Sequence, residues 1–219
     1  MKSSSETRDN SGSLLISTAY LPPISYVSAC IHADEILIER CETYPKQTFR
    51  NHCIIFGPNG KQLLSIPVIK VDGNRTKTKD IRISDSRSWQ KTHWRSIKTA
   101  YSNSPYFLYY GDHFIQYFEK KYEFLIDFNT SLLETIIHIL KEAKKLTFTD
   151  QFEKEVSYKN DHRYLWGKKY SIIHSEFPEY TQVFSSRHGF IPDLSILDLI
   201  FNLGPETRQY LESLPNNTV

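Results

Sequence analysis

Asp198 has the most demanding surroundings of any ionisable residue in this sequence. It lies in LSILDLIFNL, residues 194–203, which Gly204 and Pro205 bring to a stop. Wound as a helix at about 100° per residue, the stretch spreads Leu194, Ile196, Leu197, Leu199, Ile200, Phe201 and Leu203 round most of the circumference. Ser195, Asp198 and Asn202 gather on one narrow seam. A helix apolar nearly all round is buried, and a carboxylate and an amide inside it need donors, water, a cation or a ligand to meet them. Two readings follow. Either the seam faces a pocket, with Asp198 as a catalytic carboxylate and Asn202 on the substrate, or the three residues hydrogen-bond neighbouring backbone.

His93 is the best available general base, with Asp198 to orient it or to bind an amine. On a helix over residues 89–102, Trp89, His93, Trp94, Ile97, Ala100 and Tyr101 share one face, and Lys91, Arg95 and Lys98 line the other. Read as structure alone, His93 is a core histidine and the basic stripe a solvated face. Arg50, helped by Arg95, would hold a phosphate or carboxylate through paired donors, with Asn51 beside it and Tyr20 against a sugar or base. The wheel sends His93 and Arg95 to different faces, so Arg95 is the weaker member of this set. Arg187 and His188 approach the start of the polar seam through SSRHGFIP.

The elements that must position these residues are legible in the patterning. A strand over 14–20 is broken by Leu21, Pro22 and Pro23. A short helix over 24–31 and an alternating strand over 35–40 follow. That is a β-α-β unit with a parallel pair, and it puts Tyr20 at the carboxyl edge, where open α/β sheets bind ligands. CIIF and QLLSIPVIK flank Gly57, Pro58, Asn59 and Gly60 as an antiparallel hairpin. Residues 72–79 read as a flexible basic loop, and 81–84 as a further strand. Ser86 or Ser88 caps the helix at 89, and the aromatic run 106–110 ends it. A helix follows over 111–122, then one over 131–145 opened by a Ser131, Glu134 capping box, with His138 exposed. Residues 170–174 form a strand, and 206–214 a last short helix. The expected fold is α/β: a parallel sheet core with a β-α-β start, an added hairpin and a helical cover over about 86–145. It forms one domain over 14–214, between a disordered leader (1–13) and a short tail (215–219).

Composition narrows the function. The 219 residues carry 27 Lys and Arg against 25 Asp and Glu, a balance that argues against nucleic acid as a partner. Cys30, Cys41 and Cys53 show no metal-ligand or redox spacing, so no metal site is expected, and nothing in the sequence names a cofactor. No apolar run is long enough to span a membrane and residues 1–13 contain no signal-peptide h-region, so the chain is expected in the cytoplasm. Phosphate-binding loops, nucleophile elbows, zinc-helix motifs and dinucleotide fingerprints are all missing.

Five separated blocks resemble the WbqC-like family in order and approximate spacing. They are Tyr20, Leu21, Pro22 with Ala33, Asp34; Phe49, Arg50, Asn51 before the hairpin, with Ile66, Pro67, Val68; His93, Trp94, Arg95; Pro105, Tyr106, Phe107; and Gly189, Phe190, Ile191, Pro192 with the stretch from Leu194 to Glu206. That family occurs in bacterial surface-polysaccharide (O-antigen) gene clusters. The resemblance implies a cytosolic protein of glycan biosynthesis that transfers an amino-acyl or glycyl group to a sugar or nucleotide sugar, alongside other glycan-biosynthesis enzymes. A non-catalytic binding or scaffold protein of the same pathway, using the aromatic and basic surface of residues 89–110, is the alternative. Ser17, Thr18 and Ala19 stand where the family's first loop carries a His or Gln, Pro, Asn run, and Ser25, Tyr26 stand for its Gly-aromatic pair.

Overall fold

A computed structural model describes residues 12–85, 88–156, 160–167 and 177–215. The expected leader (apart from its last residues), the strand at 170–174, the possible cap Ser86 and all but the first residue of the tail lie outside them. Strand β1 (Ser13–Ser17) leads through Pro22 and Pro23 into helix α1 (Ile24–His32), and β2 (Glu35–Glu39) follows. The two strands pair in parallel, with Leu14 opposite Ile36 and Ile16 opposite Ile38. All four of these side chains are buried, as the alternation requires. Two short parallel strands extend the sheet: β7 (Leu146–Phe148) beside β2, and β8 (Asn160–Asp161) beside β1.

The strand order is β7-β2-β1-β8, so every carboxyl end lies along the same edge. The chain steps outward from β1 through β2 to β7 and then returns to the far side of β1 as β8. Strand order therefore reverses between β1 and β8, the position where such sheets leave a crevice beyond their carboxyl ends. The hairpin is a separate sheet of β3 (His52–Gly57) and β4 (Gly60–Ser65), turned at Gly60 with φ +94°. Its inner face buries Cys53, Ile55 and Leu64, while Ile54 and Leu63, paired across the strands, look outward. Two-residue strands β5 (Val68–Ile69) and β6 (Arg82–Ile83) pair nearby, and the loop joining them contains two short helical turns.

Helix α2 (Trp89–Tyr101) buries the expected face with Trp94 half-buried, and it leaves Lys91, Arg95 and Lys98 exposed. The next two helices begin earlier than local signals indicate. Helix α3 (Phe107–Glu119) takes the aromatic run into its first turn, because Phe107 packs on Trp94 and Phe201 at ring distances of 6.0 and 5.1 Å. Helix α4 (Leu125–Ile139) starts six residues before Ser131, which is mid-helix and caps nothing. Its first turns are fixed by Phe128, whose ring meets Tyr122 at 5.2 Å and Trp89 at 5.6 Å. Tertiary aromatic packing thus overrides the capping-box pattern. Among the described residues no helix is long and apolar enough to cross a membrane.

After a single turn, α5 (Ser185–His188), the chain enters α6 (Ile196–Leu203), buried on all sides as its sequence demands. Its start is stitched to distant backbone: Ser195 N–H donates to the Ile54 carbonyl, Ile196 N–H to Pro22, and Ile24 N–H to Leu194. Each of Ile196, Leu197, Leu199, Ile200 and Phe201 contributes about 1.5–3 kcal/mol through burial. Gly204 ends α6 at φ +54° and donates its N–H to the Ile200 carbonyl, and α7 (Thr207–Ser213) follows. A Cβ on Gly204 would lie 2.5 Å from the Tyr106 ring. Both the positive φ and the ring therefore oppose a side chain. Gly204→Ala should cost about 2–4 kcal/mol in urea unfolding, whereas a loss below about 0.5 kcal/mol would show that the ring gives way freely.

Candidate functional site

The carboxyl ends of the parallel strands carry buried charge. Ser17 ends β1, Glu39 ends β2, and Asp161 ends β8 with Arg163 two residues beyond. Arg163 donates from Nε and Nη2 to the Asp161 carboxylate at 2.9 and 2.7 Å, and from Nη1 to the Glu153 carbonyl and, at 3.4 Å, to Glu39. Burial alone would raise the Asp161 carboxyl, but the hydrogen bonds and charge of Arg163 outweigh it and hold the group below its ordinary value. Arg50 grips Glu42 with Nε and Nη2 at 2.8 and 2.9 Å, donates from Nη1 to Thr48 Oγ1, and donates from Nη2 to Ser17 Oγ. The Ser17 hydroxyl donates onward to the Arg163 carbonyl at 2.7 Å, joining the two arginines' networks. Burial pushes the Glu42 carboxyl up, Arg50 partly opposes the rise, and nearby Glu39 adds to it.

A cavity of 640 Å³ opens over this network, within the size range of ligand sites. Glu42, Thr48, Arg50 and Arg163 form its polar wall, and Phe152 and Tyr164 form its rim. The two rings flank the Arg163 guanidinium at 5.3 and 5.6 Å. They are also 40% and 60% exposed, so their faces are open to a molecule entering the cavity. Lys46, exposed, stands at the mouth.

The residues expected to form one pocket fall into four separate places. Only Arg50 lines a described cavity, and its donors are already occupied by Glu42, Thr48 and Ser17, so it is no free anion clamp. Beside it, Asn51 donates to the Ile66 carbonyl at 2.9 Å. Tyr20 and His93 form a buried pair with Tyr20 Oη 2.9 Å from Nδ1, and the Cys53 thiol lies beside the same hydroxyl. Burial lowers the His93 pKa to about 4, a fall that the nearby Ser65 backbone only partly opposes. Arg95 lies on the exposed face of α2. Asp198 accepts from Tyr180 Oη at 2.6 Å and Gln182 Nε2 at 2.9 Å, and Asn202 donates to the Asp198 carbonyl. Ser195 caps α6 by accepting from Leu197 N–H. Backbone bonding thus accounts for Ser195 and Asn202, but Asp198 is held by side chains. Arg187 and His188 are exposed on α5, where His188 bonds the Pro58 carbonyl.

Glu42, Thr48, Phe152, Arg163 and Tyr164 were not singled out from sequence. Glu42 sits just past the strand expected at 35–40, and a polar residue at the carboxyl end of a parallel strand is a usable signal. Arg163 and Tyr164 lie in the basic, aromatic HRYLWGKK, which has no period to read.

Residues 18–168 and 165–210 match the WbqC-like protein family. The uncharacterized protein Rv1507c of Mycobacterium tuberculosis is 25% identical over 225 residues, covering 90% of this chain and 96% of that protein. No solved structure matches the chain.

Two buried acids bracket the start of α6. Asp193 accepts from the Ser25 N–H at 2.8 Å and the Ser25 hydroxyl at 2.9 Å, capping α1 from across the sequence. Burial raises both Asp193 and Asp198 to about 6, against the bonds from Ser25 and from Tyr180, Gln182 and Tyr101 that favour the ionised forms. The folded chain therefore keeps these protons up to about pH 6, while the unfolded chain releases them near pH 4. Their contribution to stability is greatest at acid pH and falls as pH rises through that window. His93 acts in the opposite sense, since its stabilising neutrality is lost as pH drops from about 6.5 toward 4. Asp198→Asn should therefore gain on the unsubstituted protein by about 2 kcal/mol between pH 4.5 and pH 7.5 in denaturant titrations. Parallel stability curves for the two proteins would mean that Asp198 ionises freely in the fold.

Proposed function

The chain belongs to the WbqC-like protein family, and from that premise and the geometry of the cavity we propose that it is a cytoplasmic transferase of bacterial surface-polysaccharide biosynthesis. It moves an amino-acyl group, glycyl in the simplest case, onto a sugar or nucleotide sugar held between Phe152 and Tyr164. The observation that carries this reading is the pairing of two exposed rings with a buried, fully bonded Glu42–Arg50 couple at the strand-order reversal. A sugar ring presents C–H faces that pack on aromatic carbon and hydroxyls that can donate to the Glu42 carboxylate and bond Thr48. Lys46 at the mouth suits the phosphate of a nucleotide sugar.

Leu108 and Tyr109, 85% and 73% exposed on the first turn of α3, favour a second reading. In it the same pathway uses this chain as a non-catalytic scaffold that presents the α2–α3 surface to a partner enzyme. Thermal-shift titration with free and nucleotide-linked sugars separates the two readings. A sugar transferase should show a rise in Tm that weakens in Tyr164→Ala and Phe152→Ala, each costing about tenfold in affinity. The rise should persist in Leu108→Ser. An absence of any shift, together with co-purification of a glycosyltransferase that Leu108→Ser abolishes, would establish the scaffold instead.

A further inference from the structure

A second cavity of 210 Å³ adjoins the first and shares Thr48 and Gly167 with it. It is too small to be a free-standing ligand site but suits an annex of the larger one. Its wall is the outer face of the hairpin, where His52 and Ile54 of β3 lie with Leu63 of β4, and Phe49 closes one side. Leu63 is 58% exposed and Ile54 half-exposed, an apolar surface that gains nothing from water and is suited to covering a small ligand group.

His52 is the one ionisable side chain in that wall. Its ring has no hydrogen-bond partner among the described residues, whereas the His93 ring is bonded to the Tyr20 hydroxyl. Partial burial lowers the His52 pKa, so the imidazole is neutral at physiological pH with a lone pair available. No other described charged group lines this compartment.

We propose that the cleft has two compartments and that His52 is a catalytic residue of the transfer: the larger compartment takes the sugar, and the smaller takes the amino-acyl group of an activated ester or thioester. This rests on the transferase reading above and assigns its general base and donor subsite. An attacking hydroxyl or amine of the sugar, entering past Thr48 and Gly167, gives its proton to the His52 imidazole as its oxygen or nitrogen bonds to the acyl carbon. The bond from that carbon to the leaving oxygen or sulfur breaks, and the imidazolium returns the proton to the leaving group. Nothing is oxidised or reduced, and the enzyme ends as it began.

The test combines turnover with NMR of the full chain carrying labelled histidine, and uses glycine methyl ester as the donor-compartment probe. His52→Gln should lose turnover by about 10²–10⁴-fold with sugar affinity unchanged, and the limb of the rate profile that falls at acid pH should vanish. Leu63→Gln should raise KM for the acyl donor with kcat kept. Glycine methyl ester should shift the His52 resonances saturably, with and without bound sugar. Sugar binding and turnover with full activity in His52→Gln, or with no response of His52 to the ester, would overturn the two-compartment assignment and leave the transferase reading standing. A saturable His52 response without turnover of any acyl donor would uphold the donor subsite and remove the transferase reading. Silence in every measurement would remove both.

Discussion

Two guanidinium groups without access to bulk water set the terms for the carboxyl edge of this sheet. Arg50 and Arg163 are almost fully buried, and the carboxylates that meet each at hydrogen-bonding distance offset the cost of placing its charge there. Glu42 and Thr48 come from the segment that links the parallel sheet to the hairpin. Asp161 comes from β8, and Glu39 from β2. Satisfying the two arginines therefore pulls together pieces far apart in sequence, with the Ser17 hydroxyl as the joint between them. Buried pairs of this kind add little net stability compared with an apolar packing of the same volume, yet removing either partner leaves an uncompensated charge at a cost of about 3–5 kcal/mol. Their position at the strand-order reversal, beneath a cavity, is the place where an α/β sheet would keep such groups for recognition.

The opposite solution operates at α6. There the helix is held by apolar burial and by three backbone bonds that tie its start to β3 and to the loop after β1. Asp198 sits within it as an isolated acid whose neutral form the fold favours, and Tyr180 and Gln182 supply the bonds that limit the cost. The polar seam is thus a packing solution between α6 and the segment before it. The site at the sheet edge is a separate construction that reaches it only through the hairpin. The core and the cavity share β3, whose inward residues pack on the helices and whose outward residues face the annex.

Much of the architecture was legible because it depends on short-range patterns. The alternation of EILIER, the proline break after β1, the Gly-Pro-Asn-Gly turn and the all-round apolar run of α6 each dictate an element with little help from elsewhere. The starts of α3 and α4 were not legible. Phe107 and Phe128 earn their helical places by stacking on Trp94, Phe201, Trp89 and Tyr122, contacts that no window of sequence contains. The site was legible only at Arg50. Glu42 has no periodic relation to it, Arg163 lies 113 residues away, and the rings beside Arg163 come from irregular segments. His93 and Asp198 stood out for a sound reason, polarity inside apolar helices, but the same feature marks satisfied core groups as strongly as it marks catalysts.

Charge balance at the sheet edge bears on what the cavity can accept. Glu39, Glu42 and Asp161 face Arg50 and Arg163, which leaves one carboxylate in excess; burial drives the Glu42 carboxyl up, and the charge of Glu39 adds to the rise. A phosphate or carboxylate placed deep in the cavity would add to the surplus and would find the arginine donors already committed. A neutral polyol adds no charge and can donate its hydroxyl protons to the carboxylate lone pairs of Glu42 and bond the Thr48 hydroxyl, without needing the arginine donors. An anion has a favourable position only at the mouth, beside Lys46, outside the carboxylates' closest reach. The arrangement therefore suits a ligand with an uncharged hydroxylated ring inside and any phosphate outside, which is the polarity of a nucleotide sugar entering ring first.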